Sequence, residues 1–484
     1  MKISQIFNLN KSQFELDFVD VDVSRDTQLF VDPYYISVRT DPWSVEASRT
    51  LHSFFQRIVS LLHAGDVKHA FSIFTNLSEP NETSLGMSKG MPSGRGAGED
   101  NIKRIFDRLV KSRAVATGIL EDLEDVRLFV PGVDKDKISD MATNIIRRHL
   151  IEYTQNQCNL WSIPLRSEVT SGPMWIRETN SWEHEHTEML VIEERKILLV
   201  PKGVVSYANA YSGQEYHRHF VLNYLQAEHL RLDSLLVQRR VNKKGGERRW
   251  VTKKSIIETG ARADKEYLAD FTLRHPEVFA DFKANAKRKT RPLTNEELGA
   301  EIADVNAILD HLIQRFGQIP TGNEHASEYH KTVVATMEIL FYPRLTSPQV
   351  ERRINSDRKR IDITFDNSAD AGFFKIIQTK HDLPCPYIII ECKNYKKDLA
   401  NPELDQLIGR FSPNRGKMGF AICRSFDSLE TFMERCRDTF SDSRNLIIPL
   451  TDADMIAMLE EKRGGESEPG EALLLDKLRD IVLS

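Results

Sequence analysis

The chain has 484 residues, 40% hydrophobic and 28% charged, with a formal net charge of −5. This composition fits a soluble globular protein of about three domains. It excludes a chain that holds nucleic acid by overall charge, so any phosphate contact must come from local basic surface.

Residues 1–165 mix two periodicities. Thr27 to Pro33 is strand-like, and Val45 to Leu62 is helical, with Leu51, Phe54, Phe55, Ile58 and Leu62 at helical spacing. A glycine-rich loop from Gly86 to Gly98 precedes a helix at Glu99 to Leu109. Free amides there could cradle a phosphate, but neither a Walker ending nor GxGxxG spacing accompanies them, so a plain glycine loop is preferred. Ser139 to Tyr153 is a third helix. Asp134, Asp136 and Asp140 around its start are read as charges that complement the helix dipole, ahead of a cation site. Asp17, Asp20, Asp22, Asp26 and Asp32 are read as surface and turn residues.

From 166 to 235, Met189 to Pro201 reads as a hairpin and Gln214 to Leu232 as a helix. His184 and His186, in Trp182 to Glu188, lack a third ligand at diagnostic spacing and read as part of a charged turn. A basic run from Arg239 to Lys254, with Arg240, Lys243, Lys244, Arg248 and Arg249, carries a double glycine and reads as a loop or linker. With Trp250 as a stacking surface it can contact nucleic acid, or it can simply be solvated. Residues 255–320 look mostly helical. Gln318 to Asn323 is the best boundary. Beyond it the order is helix (Glu324 to Tyr342), strand (Arg360 to Asp366), strand (Pro386 to Cys392), helix (Pro402 to Phe411), strand (Met418 to Cys423), helix (Ser428 to Thr439) and strand (Leu446 to Leu450). The expectation is a multi-domain α/β chain. It has an α/β or α+β region of unknown role at 1–165, a hairpin-and-helix unit at 166–235 and a basic, helical stretch at 236–320. An α/β core with a mixed sheet flanked by helices follows at 321–460, and a flexible tether with a terminal helix at 461–484.

Chemistry concentrates in that last core. Glu391 and Lys393 end the aliphatic run Tyr387 to Ile390, two residues apart, so they share one face of a strand. Asp362 lies on the strand before, with Ile361, Ile363 and Phe365 on its other face. If those strands pair, two carboxylates and a lysine converge at one sheet edge. That is a divalent-metal site with a lysine beside it, suited to phosphodiester hydrolysis. An ordinary strand-end ion pair is the alternative.

In these residues and their helix–strand order, Glu324 to Leu450 resembles the PD-(D/E)xK nuclease superfamily, in its restriction-endonuclease-like and Mrr-like branch. The resemblance implies Mg²⁺, with Mn²⁺ as a substitute, held by Asp362, Glu391 and the Cys392 carbonyl. Lys393 would position or deprotonate the attacking water, and the product would be a 5′-phosphate. Gln406 matches a supporting glutamine on the next helix. Ile361 replaces the proline of the family name. For the helical acid of many members Glu328 is the first candidate and Glu338 the second, with His330 near the usual position. Arg352, Arg353, Arg358, Lys359 and Arg360 could clamp the phosphate backbone or be a solvated charged loop. The implied substrate is nucleic acid, DNA ahead of RNA or tRNA, in restriction or antiphage defence. A homo-oligomer is expected for double-strand breaks, and a partner protein from the same defence system could take part. A nuclease fold that binds without cutting is the alternative.

Five cysteines, Cys158, Cys385, Cys392, Cys423 and Cys436, show no CxxC spacing and fit a reducing cytoplasm. The first residues carry no apolar leader and no apolar run approaches a membrane span, so no membrane contact is expected.

Overall fold

A computed structural model of the protein describes residues 1–86, 95–207, 211–241, 246–298, 304–354, 358–395, 399 and 401–483, with the side chains of 95–99 left aside. The phosphate-cradle reading and Lys243 and Lys244 therefore fall largely or wholly outside the described residues. No helix among them is long and apolar enough to cross a membrane.

The architecture is mixed helix and strand and multi-domain, with a five-stranded mixed sheet in the C-terminal region. Its strands lie in the order Leu345–Ile354, Lys359–Asn367, Tyr387–Lys393, Met418–Cys423 and Leu446–Thr451. The first three run antiparallel and the last two pairings are parallel. Parallel pairing requires crossovers, which the helices Asn401–Ile408 and Leu429–Ser443 supply. The central strands are buried on both faces, which is why Ile388, Ile389 and Ile390 run without alternation.

Several elements of this region differ from the sequence reading. The edge strand Leu345–Ile354 was not expected, because Ser347 and Glu351 take positive φ and the ladder shifts between Thr346 and Gln349, so no clean alternation survives. The connection between the Asp362 and Glu391 strands contains the helix Gly372–Thr379. The expected terminal helix is Glu471–Val482, which docks through buried Leu474, Leu478 and Ile481. Arg344 pairs with Glu468 and, at 3.3 Å, with Glu471.

Upstream, Asp41 caps the helix Pro42–His63, its carboxylate accepting from Ser44 N–H at 3.0 Å; Leu51, Phe54, Phe55 and Ile58 are buried. The expected helix at Ser139 to Tyr153 is two helices, Lys135–Ile145 and Arg147–Trp161. The hairpin pairs His186–Ile192 with Arg195–Ile197, and Glu193 and Glu194 both take positive φ, the conformation of a two-residue primed turn. The basic run is no linker: Gln238–Val241 pairs with Glu247–Trp250 as an exposed antiparallel hairpin. Nor are Asp17 and Asp20 surface residues. Asp17 is buried and accepts from Tyr153 Oη–H at 2.6 Å, and Asp20 accepts from Ser4 N–H and Oγ–H.

One apolar core runs from Ile3 to Ile481, joining the upstream helices to the sheet. Polar bonds reinforce the junction. Trp43 N–H donates to Asp366 at 3.0 Å, and Arg39 reaches Ser368 Oγ at 2.8 Å. Fully buried Lys202 sits 3.0 Å from Glu338 on the helix Ala326–Phe341.

Candidate active site

The antiparallel register Ile363↔Ile390, carried on by one residue, sets Asp362 opposite Glu391. Strand alternation then brings Lys393 to the same face. Lys393 Nζ lies 3.1 Å from Asp362 Oδ2 and in direct contact with Glu391 Oε1. Cys392 N–H donates to Asp362 Oδ2 at 3.1 Å. The structure thus brings Asp362, Glu391 and Lys393 together, at a cleft of about 520 Å³ lined by Asp362, Cys392, Lys393, Asn394 and Tyr395.

Glu391 is 1% exposed, and neither of its oxygens accepts a well-oriented hydrogen bond, although the ammonium touches one of them. Burial, then the Asp362 charge, pushes its carboxyl up to about 7 against the pull of Lys393 and Arg410. For Lys393 burial opposes the charge, but Asp362 and Glu391 outweigh it and hold the ammonium above its ordinary value. Burying two acids beside one amine leaves a negative excess, and unsatisfied buried carboxylate oxygens are costly.

The donor set at this point is all oxygen: two carboxylates and the Cys392 carbonyl. That suits a hard divalent cation. The Cys392 thiol is buried, with burial holding its proton far above the usual thiol range. His330 Nε2–H donates to the Cys392 carbonyl at 3.0 Å.

Other expected residues are placed differently. Glu328 is exposed, pairs with Arg315 and lines a neighbouring depression, not this cleft. Glu338 is fully buried in the ion pair with Lys202 and cannot serve as a site acid. His330 lines the cleft where a helical acid was expected. Gln406 is half-buried on Asn401–Ile408, and among the described residues it makes no hydrogen bond to Asp362, Glu391 or Lys393. Arg360 lines the cleft, 3.2 Å from Glu351, while Lys359 Nζ donates to the Gly409 carbonyl at 3.1 Å. Arg358 is exposed beside them.

In the basic hairpin, cross-strand partners are Arg239 with Arg249 and Arg240 with Arg248. Arg239 and Arg249 both clasp Asp233. Arg240 and Arg248 are exposed and make no ion pair among the described residues.

Sequence reasoning missed two contributions. Arg410, just beyond Asn401–Ile408, acts electrostatically on Glu391; its only signal was a cation following that helix. Asn159, Leu160 and Ser162, at the end of Arg147–Trp161, form a wall of the cleft. Nothing in a segment about 200 residues from the acids announces that.

Acidic groups elsewhere are less persuasive. Glu121, Asp122 and Asp125 lie close enough to share a cation, but Lys283 already pairs with two of them, 3.3 Å from Asp125 and 3.0 Å from Glu121. His184 and His186 are exposed.

A family model described as a domain of unknown function (DUF8370) matches residues 8–212. Over 228 residues the chain is 25% identical to the "Putative transposon gamma-delta 80.3 kDa protein" of Escherichia coli (strain K12), an alignment covering 44% of this chain and 32% of that protein. The chain therefore spans less than half of that relative's length. No solved structure matches the chain.

Proposed function

We propose that this protein is a divalent-metal-dependent nuclease of PD-(D/E)xK type, acting on DNA ahead of RNA, in defence against foreign or mobile DNA. One observation carries the reading: the buried, unsatisfied carboxylate of Glu391 faces Asp362 across paired strands, with Lys393 between them at an open cleft. The partial similarity to a protein named for a transposon is consistent with a link to mobile DNA.

Asp362, Glu391 and the Cys392 carbonyl would hold Mg²⁺ or Mn²⁺, which polarises a phosphoryl oxygen and acidifies a bound water when present. Lys393 keeps its proton under the field of both acids, so it serves as a donor that orients the water and offsets charge on phosphorus. Asp362 fixes the strand end by accepting Cys392 N–H. Asn394 adds to this, its side-chain amide donating to the Pro320 and Gly322 carbonyls at 3.0 Å each. Water attacks phosphorus, the P–O3′ bond breaks, and a 5′-phosphate remains. Exposed Arg240, Arg248 and Arg358 offer backbone contacts.

The test offers plasmid, single-stranded DNA and RNA with Mg²⁺ or Mn²⁺ to the wild type, Asp362→Ala and Lys393→Ala. Cleavage by the wild type, lowered at least about 10²-fold in each variant, is expected. Equal behaviour of all three proteins would sink the reading.

A further inference from the structure

We propose that a cavity between the upstream helices and the C-terminal sheet binds a small anionic ligand that carries an N–H donor, Asp366 accepting the N–H and Arg352 holding the anion. None of the residues lining this cavity lines the Asp362 cleft.

Asp366 lies near the end of the strand Lys359–Asn367, between its cross-strand partners Thr346 and Tyr387. Trp43, Glu46 and Thr50, at helical spacing on Pro42–His63, line the space beside it. His149 lines it from Arg147–Trp161, its Nε2 lying 2.9 Å from Thr50 Oγ1 where the two helices meet. The cavity measures about 330 Å³, the size of a small-ligand pocket. Exposed Arg148, Glu152 and Glu178 stand on its solvent side, and buried Asp366, Thr50 and Trp175 on its inner side.

Four acids line it, and arginines answer three of them. Glu46 lies 3.2 Å and Glu178 3.7 Å from Arg177, and Glu152 lies 3.1 Å from Arg148. Asp366 is the fourth. It is 4% exposed, and among the described residues no cation pairs with it. Its Oδ2 accepts from Trp43 N–H at 3.0 Å, while its Oδ1 accepts from no described residue. A buried carboxylate held by one neutral donor is costly. Burial, then the Asp41 charge, accordingly holds this carboxyl far above the usual carboxylate range. An N–H brought to Oδ1 by a ligand relieves that cost. The indole N–H of Trp43 is buried as well and lacks an acceptor.

Arg352 supplies the complementary group. Its guanidinium lies over the Tyr387 ring, 4.9 Å from the ring centre, and pairs with no acid among the described residues. Its charge acts on Asp366, yet the two side chains form no ion pair. One ligand bearing an N–H and an anion can join them, because a guanidinium fork matches phosphate or carboxylate. Mononucleotides and α-amino acids both have this chemistry. Half-buried Trp43 adds ring surface that suits a base.

The experiment is isothermal calorimetry on the full chain in EDTA. AMP, GMP, CMP, UMP, glutamine, glutamate and inorganic phosphate are each titrated into the wild type, Asp366→Asn and Arg352→Ala, with the Tm of each protein recorded. At least one nucleotide or amino acid should bind about tenfold tighter than phosphate or better, and each substitution should weaken it about tenfold. Asparagine keeps an oxygen for Trp43 N–H, and half-buried Arg352 gives a second variant should Asp366→Asn fail to fold. A bound nucleotide makes the base the N–H carrier; a bound amino acid upholds the site and gives that role to its ammonium. Phosphate binding as tight as any other probe, binding that neither variant alters, or no binding at all would overturn the proposal. Neither metal nor cleavage enters the readout, so each outcome is separate from the fate of the nuclease reading.

Discussion

Glu391 shows how one side chain can be paired and still be unsatisfied. Its ion pair with Lys393 offsets charge, yet its buried oxygens accept no well-oriented hydrogen bond. Glu391→Gln should therefore leave the fold intact while lowering Mn²⁺ binding, read by calorimetry, and metal-dependent cleavage by at least about 10²-fold. Unchanged metal affinity would count against its assignment as a ligand. Asp140 poses a different residue-scale problem. Asp134 caps the helix Lys135–Ile145, as the dipole argument expects, accepting from Lys137 N–H at 3.2 Å. Asp140, however, is half-buried, and desolvation followed by the charges of Asp136, Glu79, Asp134 and Asp26 pushes its carboxyl up to about 8. Because the folded pKa lies above the ordinary 3.8, its contribution is full below that value and is lost as pH rises through about 8. Asp140→Asn should flatten the fall in Tm between about pH 4 and about pH 8. Parallel curves for the two proteins would contradict this.

At the scale of elements, the strand Met418–Cys423 approaches its neighbour so closely that one position admits only glycine. A Cβ on Gly419 would lie 2.4 Å from the Ile389 carbonyl oxygen and 3.2 Å from the Phe411 ring. Ile389 is two residues before Glu391 on the same strand. Gly419→Ala should cost about 1–3 kcal/mol by urea denaturation and reduce activity through the displaced strand. Gly317, in the helix Val305–Gln318, is the control, since nothing lies within 4 Å of its would-be Cβ. Gly317→Ala should stabilise by about 0.5–1 kcal/mol. Equal effects of the two substitutions would refute the close-approach argument. The basic hairpin carries a related lesson. Its sequence of charges around glycines gives no alternation, yet Asp233 gathers Arg239 and Arg249 onto one side and leaves Arg240 and Arg248 outward.

For the whole molecule, the question is what makes the upstream region and the C-terminal sheet one body. Lys202 is fully buried, 3.0 Å from Glu338 and 3.0 Å from Asn295 Oδ1, with its ammonium 4.0 Å from the centre of the Tyr342 ring. Burial raises the Glu338 carboxyl to about 8 despite Lys202. Removing one partner strands the other charge, so Glu338→Ala should cost about 3–5 kcal/mol. The double variant Lys202→Met/Glu338→Leu should recover part of that, because apolar groups of similar volume replace the pair while buried Asp17, on which Lys202 also acts, loses its cation. Unfolding midpoints of the singles and the double decide it; a double as unstable as the worse single would mean that the pair is worth more than its desolvation.

The α/β character of the C-terminal region, most of its element order and the strand positions of Asp362, Glu391 and Lys393 are legible in the residues alone, because strand alternation and helical spacing are local properties. The edge strand escaped because positive-φ residues at Ser347 and Glu351 break its pattern. The helix Asp452–Arg463 escaped because Met455, Met458 and Leu459 bury only a narrow stripe. Folding alone reveals that Glu338 turns inward to Lys202, that Glu328 serves Arg315, that Arg410 acts on Glu391, and that Asn159, Leu160 and Ser162 line the cleft. Those facts depend on which surfaces meet after the core closes, and contacts across hundreds of residues leave no local periodicity to read.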